Sequence, residues 1–416
     1  MNLKSIPLIA LSVWLLAGCG TSEKIREPLP HVNAVRSPEF RQAMGSLIPP
    51  GFVPGNGVRT LSNGQEIFPA MLAAIRGARQ TVNFETFIFS DGEIPKAFAE
   101  ALAERARAGV EVRVILDANG AKKSRPLRPA MVDAGVKLKI YNSLASSLLV
   151  RYNYRTHRKL LIVDGKIGFI GGVGIADEWN GNARSPKEWR DLHFRVEGPV
   201  VAQLQGAFYE NWYATSQEVL QGAKFFPVLR PAGPLLARCF ISSPAKGGST
   251  VELMYHLAIA SAQQTLLIEN AYFLPDNALV EALCAAARRG VKVKIMMPGK
   301  HIDQKAVRRA SRKRWGKLLQ AGVELYEYQP TMVHTKLLIA DGLFVSVGSA
   351  NLDPRSLRIN DEANLTVLDA GFAKKLSRLY QEDLGQSARV TDAGHGLGSI
   401  VTLPVSAAQT PLESQL

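Results

Sequence analysis

Cysteine is nearly absent from this chain: three occur in 416 residues, Cys19, Cys239 and Cys284. None forms a CxxC pair or joins a Cys/His cluster, which excludes a disulfide framework and a thiolate zinc centre. Cys239 and Cys284 are expected as small buried apolar residues. Acidic residues are also in deficit, 36 Asp plus Glu against 50 Lys plus Arg, for a net charge of +14. That excess favours an anionic partner, either nucleic acid or an acidic lipid surface. The acids form no cluster suited to a metal, so metal and cofactor are both expected to be none. Beyond the first 19 residues no stretch approaches the ~18 consecutive apolar residues of a membrane-spanning helix. Disordered composition is missing too: 46% of residues are hydrophobic and 21% charged, as in an ordinary globular chain. The length exceeds one hydrophobic core, so two domains or two fused halves are expected.

What is present is a repeat. His334-Thr335-Lys336-Leu337-Leu338-Ile339-Ala340-Asp341, followed by Gly348-Ser349-Ala350-Asn351, reads as a strand, a tight turn and a second strand. Alternate residues of a strand share a face, so His334 and Lys336 point together while Leu337 and Ile339 feed a core. An imidazole beside an ammonium group makes a site for an anion, phosphate above all. The same pattern occurs earlier as His157-Arg158-Lys159-Leu160-Leu161-Ile162-Val163-Asp164, followed by Gly171-Gly172. His, Lys, Asp and Gly all recur at one offset of 177 residues, 157 to 334.

Both copies match the HxKxxxxD signature of the phospholipase D superfamily. The strings GGVGIADEW, WRDLHFRVEGP, NAYFLP and VGSANLDPRSLRINDE resemble bacterial cardiolipin synthases within it. The resemblance covers residues 56–390 and implies an α/β protein of two fused α/β/α sandwich halves, related by a pseudo-two-fold axis with the active site between them. Residues 56–217 and 245–390 are the expected halves. Strands at 81–89, 110–116 and 136–141 alternate with helices at 69–79 and 94–108. A second series has helices at 254–264 and 278–289 with strands at 265–269 and 291–297. Gly135 and His157 are 22 residues apart but Gly322 and His334 only 12. The first half therefore carries about ten extra residues, with Leu144, Leu148, Leu149, Val150, Tyr152 and Tyr154 among them. They read either as a substrate wall or as a loop packed on its own domain.

Residues 1–19 read as an export signal, with Lys4 before an apolar stretch at 6–16. Leu16-Ala17-Gly18-Cys19 resembles the lipobox of bacterial lipoproteins, which implies lipidation of Cys19 and a lipid-anchored protein of the cell envelope. Gly20 in place of aspartate favours the outer membrane. Residues 20–55 read as a tether and 391–416 as a loose tail.

A phosphodiester under attack needs charge neutralisation, a nucleophile and an acid for the leaving alkoxide. His157, Lys159, His334 and Lys336 supply all three, one histidine attacking phosphorus while the other protonates the leaving oxygen. The resemblance assigns attack to His157 and acid–base work to His334, and carboxylates behind them to Asp191 and Glu362. Ser349 and Asn351 are candidate phosphate donors; where the second half has Asn351 the first has Gly174. Asp164 and Asp341 are grouped with the catalytic set by the motif, but their place at a turn reads as structural, closing the hairpin and pairing locally. His193 alternates with Asp191 and is expected near the site. The basic run Arg308 to Lys317 reads either as a solvated helix face or as a lipid-headgroup contact. The resemblance implies transfer of a phosphatidyl group from one phosphatidylglycerol to another, giving cardiolipin. Phospholipid hydrolysis, or phosphodiester cleavage in nucleic acid, is the alternative. Anionic phospholipid is preferred to nucleic acid as partner, and nothing in the sequence speaks to oligomeric state.

Overall fold

A computed structural model describes residues 25–31, 33–142, 153–243 and 249–391. Its strands form one fifteen-stranded sheet with the symmetry the repeat predicts. At the centre β1 (Val53–Ser62) pairs antiparallel with β8 (Leu235–Ser242). Outward from β1 lie β7 (Leu192–Glu197), β6 (Ile167–Gly171), β5 (Leu160–Val163), β2 (Thr81–Thr86), β3 (Glu111–Asp117) and β4 (Lys137–Tyr141). Outward from β8 the order is β14 (Glu362–Leu368), β13 (Phe344–Gly348), β12 (Lys336–Ala340), β9 (Thr265–Asn270), β10 (Lys292–Pro298) and β11 (Glu324–Tyr328). A short β15 (Ser387–Arg389) closes the second edge. β2, β3 and β4 run parallel, as do β9, β10 and β11. The motif strands β5 and β12 run antiparallel beside them.

Each half-sheet is buried on both faces, and alternation along the strands decides which core a residue joins. Leu161 and Val163 face α2 (Asn63–Arg76), α3 (Glu93–Arg107) and α4 (Arg128–Asp133). Leu338 and Ala340 face α6 (Thr250–Ser261), α7 (Asn277–Arg288) and α8 (Lys305–Gln320). The alternate residues Leu160, Ile162, Leu337 and Ile339 enter a third core shared by both halves. Helices α5 (Val201–Ser216) and α10 (Ala370–Leu384) pack into that shared core. The helices have local causes. The Asp177 carboxylate accepts the Glu93 and Ile94 amides at the start of α3, 2.9 Å each. Gly109, at φ +83°, releases the chain after α3, as Gly290, at φ +92°, does after α7.

Four boundaries differ from the sequence reading. Residues 20–55 are not a tether throughout. Ser37 accepts the Phe40 amide and Pro38 opens α1 (Pro38–Leu47), whose Phe40 and Met44 join the second-half core. The buried Arg238 guanidinium donates to the Met44 and Ile48 carbonyls and so satisfies the C-terminus of α1. β8 lies between the two expected halves and begins the second one. The strand expected to reach residue 89 ends at Thr86, where Phe87 turns into a cleft. α2 starts at Asn63 and carries Pro69 in its interior, because Ile67, Phe68, Met71 and Ile75 bury one continuous face. The lipobox at Cys19, most of the extra segment (143–152) and residues 392–416 lie outside the described residues. Cys239 and Cys284 are free thiols in the core, as expected.

Candidate active site

The two motif strands begin at the junction of the halves, and the backbone brings them together there. The His157 amide donates to the Asp361 carbonyl at 2.9 Å, and the His334 amide to the Arg190 carbonyl at 2.7 Å. These two links, each from one half to the other, place each histidine beside the acid of the opposite half. His157 Nδ1 lies 2.9 and 3.0 Å from the two Glu362 oxygens. His334 Nδ1 lies 3.0 Å from Asp191 Oδ2. Both carboxylates are fully buried. A proton on Nδ1 donated to a carboxylate leaves Nε2 with its lone pair for chemistry, so each acid sets tautomer and ring orientation together.

The acids are held differently. Glu362 accepts from Ser349 and, at 2.7 Å, from Ser356 at the start of α9 (Pro354–Arg358). Burial would raise this carboxyl, but His157, Lys159 and Ser349 outweigh it and hold it at about 2. Asp191 accepts from the Trp179 indole at 2.9 Å; despite burial, His334 and Lys336 keep it below the usual range. Trp179 stands 177 residues before Ser356 and performs the same task with a larger side chain. That size explains Gly174. A Cβ there would meet Ile88 Cβ at 2.8 Å and the Trp179 ring at 3.1 Å, so no asparagine equivalent to Asn351 fits.

Lys159 and Lys336 each donate to the carbonyl of their own motif histidine at 2.6 Å, and Lys336 Nζ is 3.1 Å from His334 Nε2. Burial pushes both ammonium groups down, Lys159 to about 7 and Lys336 to about 8. It pushes both imidazoles to about 4, so with nothing bound both rings are neutral near neutral pH. An anion entering between them reverses that bias and favours the protonated forms.

Three residues grouped with the site do other work: Asp164 and Asp341, which the motif groups with the catalytic set but whose place reads as structural, and Ser349, expected as a phosphate donor. Asp164 and Asp341 lie at the far ends of β5 and β12, seven residues past the histidines and on the order of 20 Å away at about 3.3 Å per residue. Each opens an Asp-Gly turn with positive φ, +51° and +50° for the aspartates, which closes the hairpin as expected. Their carboxylates reach beyond it, however. Asp164 accepts the Gln80 and Thr81 amides at 2.7 and 2.9 Å, and Asp341 the Gln264 and Thr265 amides at 2.7 and 3.0 Å. They tie the motif hairpin to the start of the neighbouring parallel strand and touch nothing reactive. Ser349 is fully buried and gives its proton to Glu362, so it supports the acid and not a phosphate. Asn351 keeps its expected place: it lines the cleft, with Oδ1 unpartnered. Among the described residues neither ring nitrogen of the buried His193 has a hydrogen-bond partner, and the side chain does not line the cleft.

A cavity of about 680 Å³ opens over His157, Lys159 and His334, with Lys336 Nζ behind, 3.1 Å from His334 Nε2. Its walls are unlike. Around His334 stand Trp179, Trp189 and Tyr272, at ring separations of 5.2, 5.6 and 6.0 Å. Beside His157 a single Phe87 ring, at 5.3 Å, is flanked by Lys159 and by Arg155. Helix α8 reaches the cleft through Gln304, just before it, and Val307. Two of its cations are paired with acids elsewhere, Arg308 with Glu327 at 2.7 and 2.9 Å and Lys317 with Glu281. Among the described residues no three His, Cys, Asp or Glu side chains group to hold a metal.

The family model described as "Cardiolipin synthase, PLD-like domain" matches residues 71–206 and 256–384. Cardiolipin synthase A of Pseudomonas putida is 36% identical over 342 residues, covering 81% of this chain and 70% of that protein. The probable cardiolipin synthase YwiE of Bacillus subtilis is 34% identical over 340 residues, covering 81% and 68%. A cardiolipin synthase of Staphylococcus aureus is 32% identical over 349 residues, covering 83% and 70%. The solved phosphatidylserine synthase of Haemophilus influenzae superposes with a TM-score of 0.61 at 13% identity, over 85% of this chain and 92% of that one. At that identity the likeness is one of fold.

Proposed function

The chain belongs to the cardiolipin synthase family of phospholipase D-like proteins, and from that premise we propose a working cycle for its cleft. It is a phosphatidyltransferase that joins two phosphatidylglycerol molecules into cardiolipin. The observation that carries this reading is the pair of motif histidines facing one cleft, each with its motif lysine close by and each oriented by the acid of the other half. His157 Nε2 attacks phosphorus, an N–P bond forms, and the bond to the leaving glycerol breaks. His334 gives that glycerol its proton. The terminal hydroxyl of a second phosphatidylglycerol then loses its proton to His334 and attacks, and the N–P bond breaks as cardiolipin forms. The Lys336 ammonium group beside His334 Nε2 supports leaving attack to His157. Lys159, Lys336 and Asn351 hold the non-bridging oxygens. The lysines supply the positive charge a metal would otherwise bring.

In phosphatidylglycerol vesicles with excess chelator, purified enzyme releases glycerol and accumulates cardiolipin, with phosphatidic acid a minor product. Water is always present in excess, so this outcome requires a site that positions the lipid hydroxyl, for which effective molarities reach ~10⁵–10⁸ M. Phosphatidic acid as the main product replaces this reading with a hydrolase. DNA cleavage that depends on His157 and His334, with no lipid product, replaces it with a nuclease.

The lysines give the reaction an alkaline limit. Their ammonium groups bind phosphate only when protonated, so kcat/KM falls as pH rises through about 7 to 8. Bound phosphate favours the charged form, so kcat holds to higher pH than kcat/KM. A kcat/KM profile flat from pH 6 to pH 10 removes the lysines from phosphate binding.

The membrane attachment is proposed from the lipobox resemblance alone: lipid on Cys19 holds the enzyme to the envelope, with the outer membrane favoured. Two or more acyl chains make release negligible, whereas one gives only marginal binding. A Cys19→Ser variant is therefore expected in the soluble fraction at high salt, and equal retention of variant and parent rules out lipid as the anchor.

A further inference from the structure

The two lips of the cleft occupy equivalent places in the repeat, one after β3 and the other after β10, yet their charges differ. After β10 the cleft is lined by Asp303 and Gln304, and Asp303 accepts the Tyr272 hydroxyl at 2.7 Å. After β3 it is lined by Lys122 and Lys123, both exposed. Their surroundings are purely basic: Lys122, Lys123, Arg125 and Arg128 fall within seven residues, and no acid occurs from Ala118 to Val132. Arg155 adds a cation over the Phe87 ring, 5.6 Å from its centre, on the platform that Lys159 and His157 also flank. Arg355 arrives from the second half and is buried, donating to the Asn153 backbone carbonyl at 2.7 Å. Four cations from both halves thus line the one cleft, with Glu178 and Asp353 also in its wall. Asp117 and Asp353 stand near Arg155 and Arg355 and offset part of their charge, whereas the two lysines have no acid in their own segment, so an anion is drawn in at that lip.

The motif lysines already neutralise the phosphate being transferred. A reaction between two phosphatidylglycerol molecules brings a second negative charge into the cleft, because the attacking hydroxyl lies three carbons from the acceptor's own phosphodiester. We propose that Lys122, Lys123, Arg155 and Arg355 form a second phosphodiester site, which holds the acceptor lipid by that phosphate and selects it over neutral alcohols. The inference rests on the transferase reading above and deepens it. Arginine offers a planar fork to two phosphate oxygens, and the exposed lysines draw the charge in from the lip. Bond changes remain those of the cycle: the acceptor oxygen bonds phosphorus, the histidine N–P bond breaks, and the hydroxyl proton goes to His334.

The test is a competition inside one reaction. Phosphatidylglycerol vesicles are supplied with ethanol as a neutral acceptor, and the ratio of cardiolipin to phosphatidylethanol is measured. The ratio does not depend on how much of a preparation is folded, so a damaged variant still reports. For Lys122→Glu/Lys123→Glu the ratio is expected to fall at least tenfold. For Lys122→Gln/Lys123→Gln it falls less. Added salt lowers the ratio for the parent more than for either variant. An unchanged ratio in a variant whose parent makes cardiolipin overturns the site and leaves the transferase reading standing. A parent that makes phosphatidylethanol but no cardiolipin overturns the reading itself.

Discussion

His157→Ala and His334→Ala each lower glycerol release from phosphatidylglycerol by at least ~10³-fold, and the double variant is little worse than either single one. The two rings act as a unit, one forming the bond to phosphorus while the other removes the charge from the leaving oxygen. Loss of the partner therefore has little left to act upon. Folding must be kept out of the comparison. Truncating either histidine strands a fully buried carboxylate, Glu362 or Asp191, and breaking a buried pair in this way costs roughly 3–5 kcal/mol. His157→Asn and His334→Asn retain a donor near the Nδ1 position and serve as the folded reference. The leaving group separates the two roles. A phosphatidyl ester of p-nitrophenol departs without protonation, so the enzyme lacking His334 regains release of the first product while the enzyme lacking His157 does not. Retention of more than a tenth of parental activity by either alanine variant sinks the two-histidine cycle.

Most of the fold was legible because the motif repeats and because its strands alternate strictly. Leu160 to Val163 and Leu337 to Ala340 are apolar on both faces, which demands a sheet covered on both sides, and a repeat at fixed offset demands two such sheets. What remained hidden depends on docking between the halves. Asp191 lies in the same half as His157, and Glu362 in the same half as His334. Sequence order offers no reason to cross them, and only the backbone links from His157 to Asp361 and from His334 to Arg190 do so. Ser349 departs from expectation for a related cause: its neighbour Asn351 lines the cleft, but the Ser349 hydroxyl turns to Glu362.

Charge was legible as an excess and misplaced in detail. The run Arg308 to Lys317 drew notice by its density, yet Glu327 and Glu281 neutralise part of it and Trp315 is core. The shorter run Lys122 to Arg128, with no acid from Ala118 to Val132, is the one that lines the cleft, through Lys122 and Lys123. The α1 helix was missed because its buried stripe is only two residues deep, although Ser37-Pro38 is a helix start in plain view.

The crossed pairing predicts crossed consequences. Glu362→Gln and Asp191→Asn each lower kcat by ~10²–10⁴-fold, since an amide no longer fixes the Nδ1–H tautomer or stabilises an imidazolium ring. The fold tolerates both changes. In Glu362→Gln one of Ser349 and Ser356 keeps an oxygen to donate to, while the other hydroxyl turns to accept from the amide NH2. In Asp191→Asn the Trp179 indole can still donate to the amide oxygen. Side-chain volume is preserved in both, so the thermal midpoint moves far less than in the alanine variants. The two losses differ in kind. Glu362 serves His157, so Glu362→Gln slows formation of the phosphohistidine whatever the leaving group. Asp191 serves His334, so Asp191→Asn slows glycerol departure but spares the p-nitrophenyl ester. Pairing within each half predicts the reverse, because Asp191 would then stand behind the nucleophile. Burst kinetics with the p-nitrophenyl ester decide between them: a full burst followed by slow turnover marks the Asp191→Asn enzyme under the crossed arrangement. A burst lost in Asp191→Asn and kept in Glu362→Gln assigns attack to His334 or undoes the crossing. The alanine variants, which name the attacking histidine independently, say which.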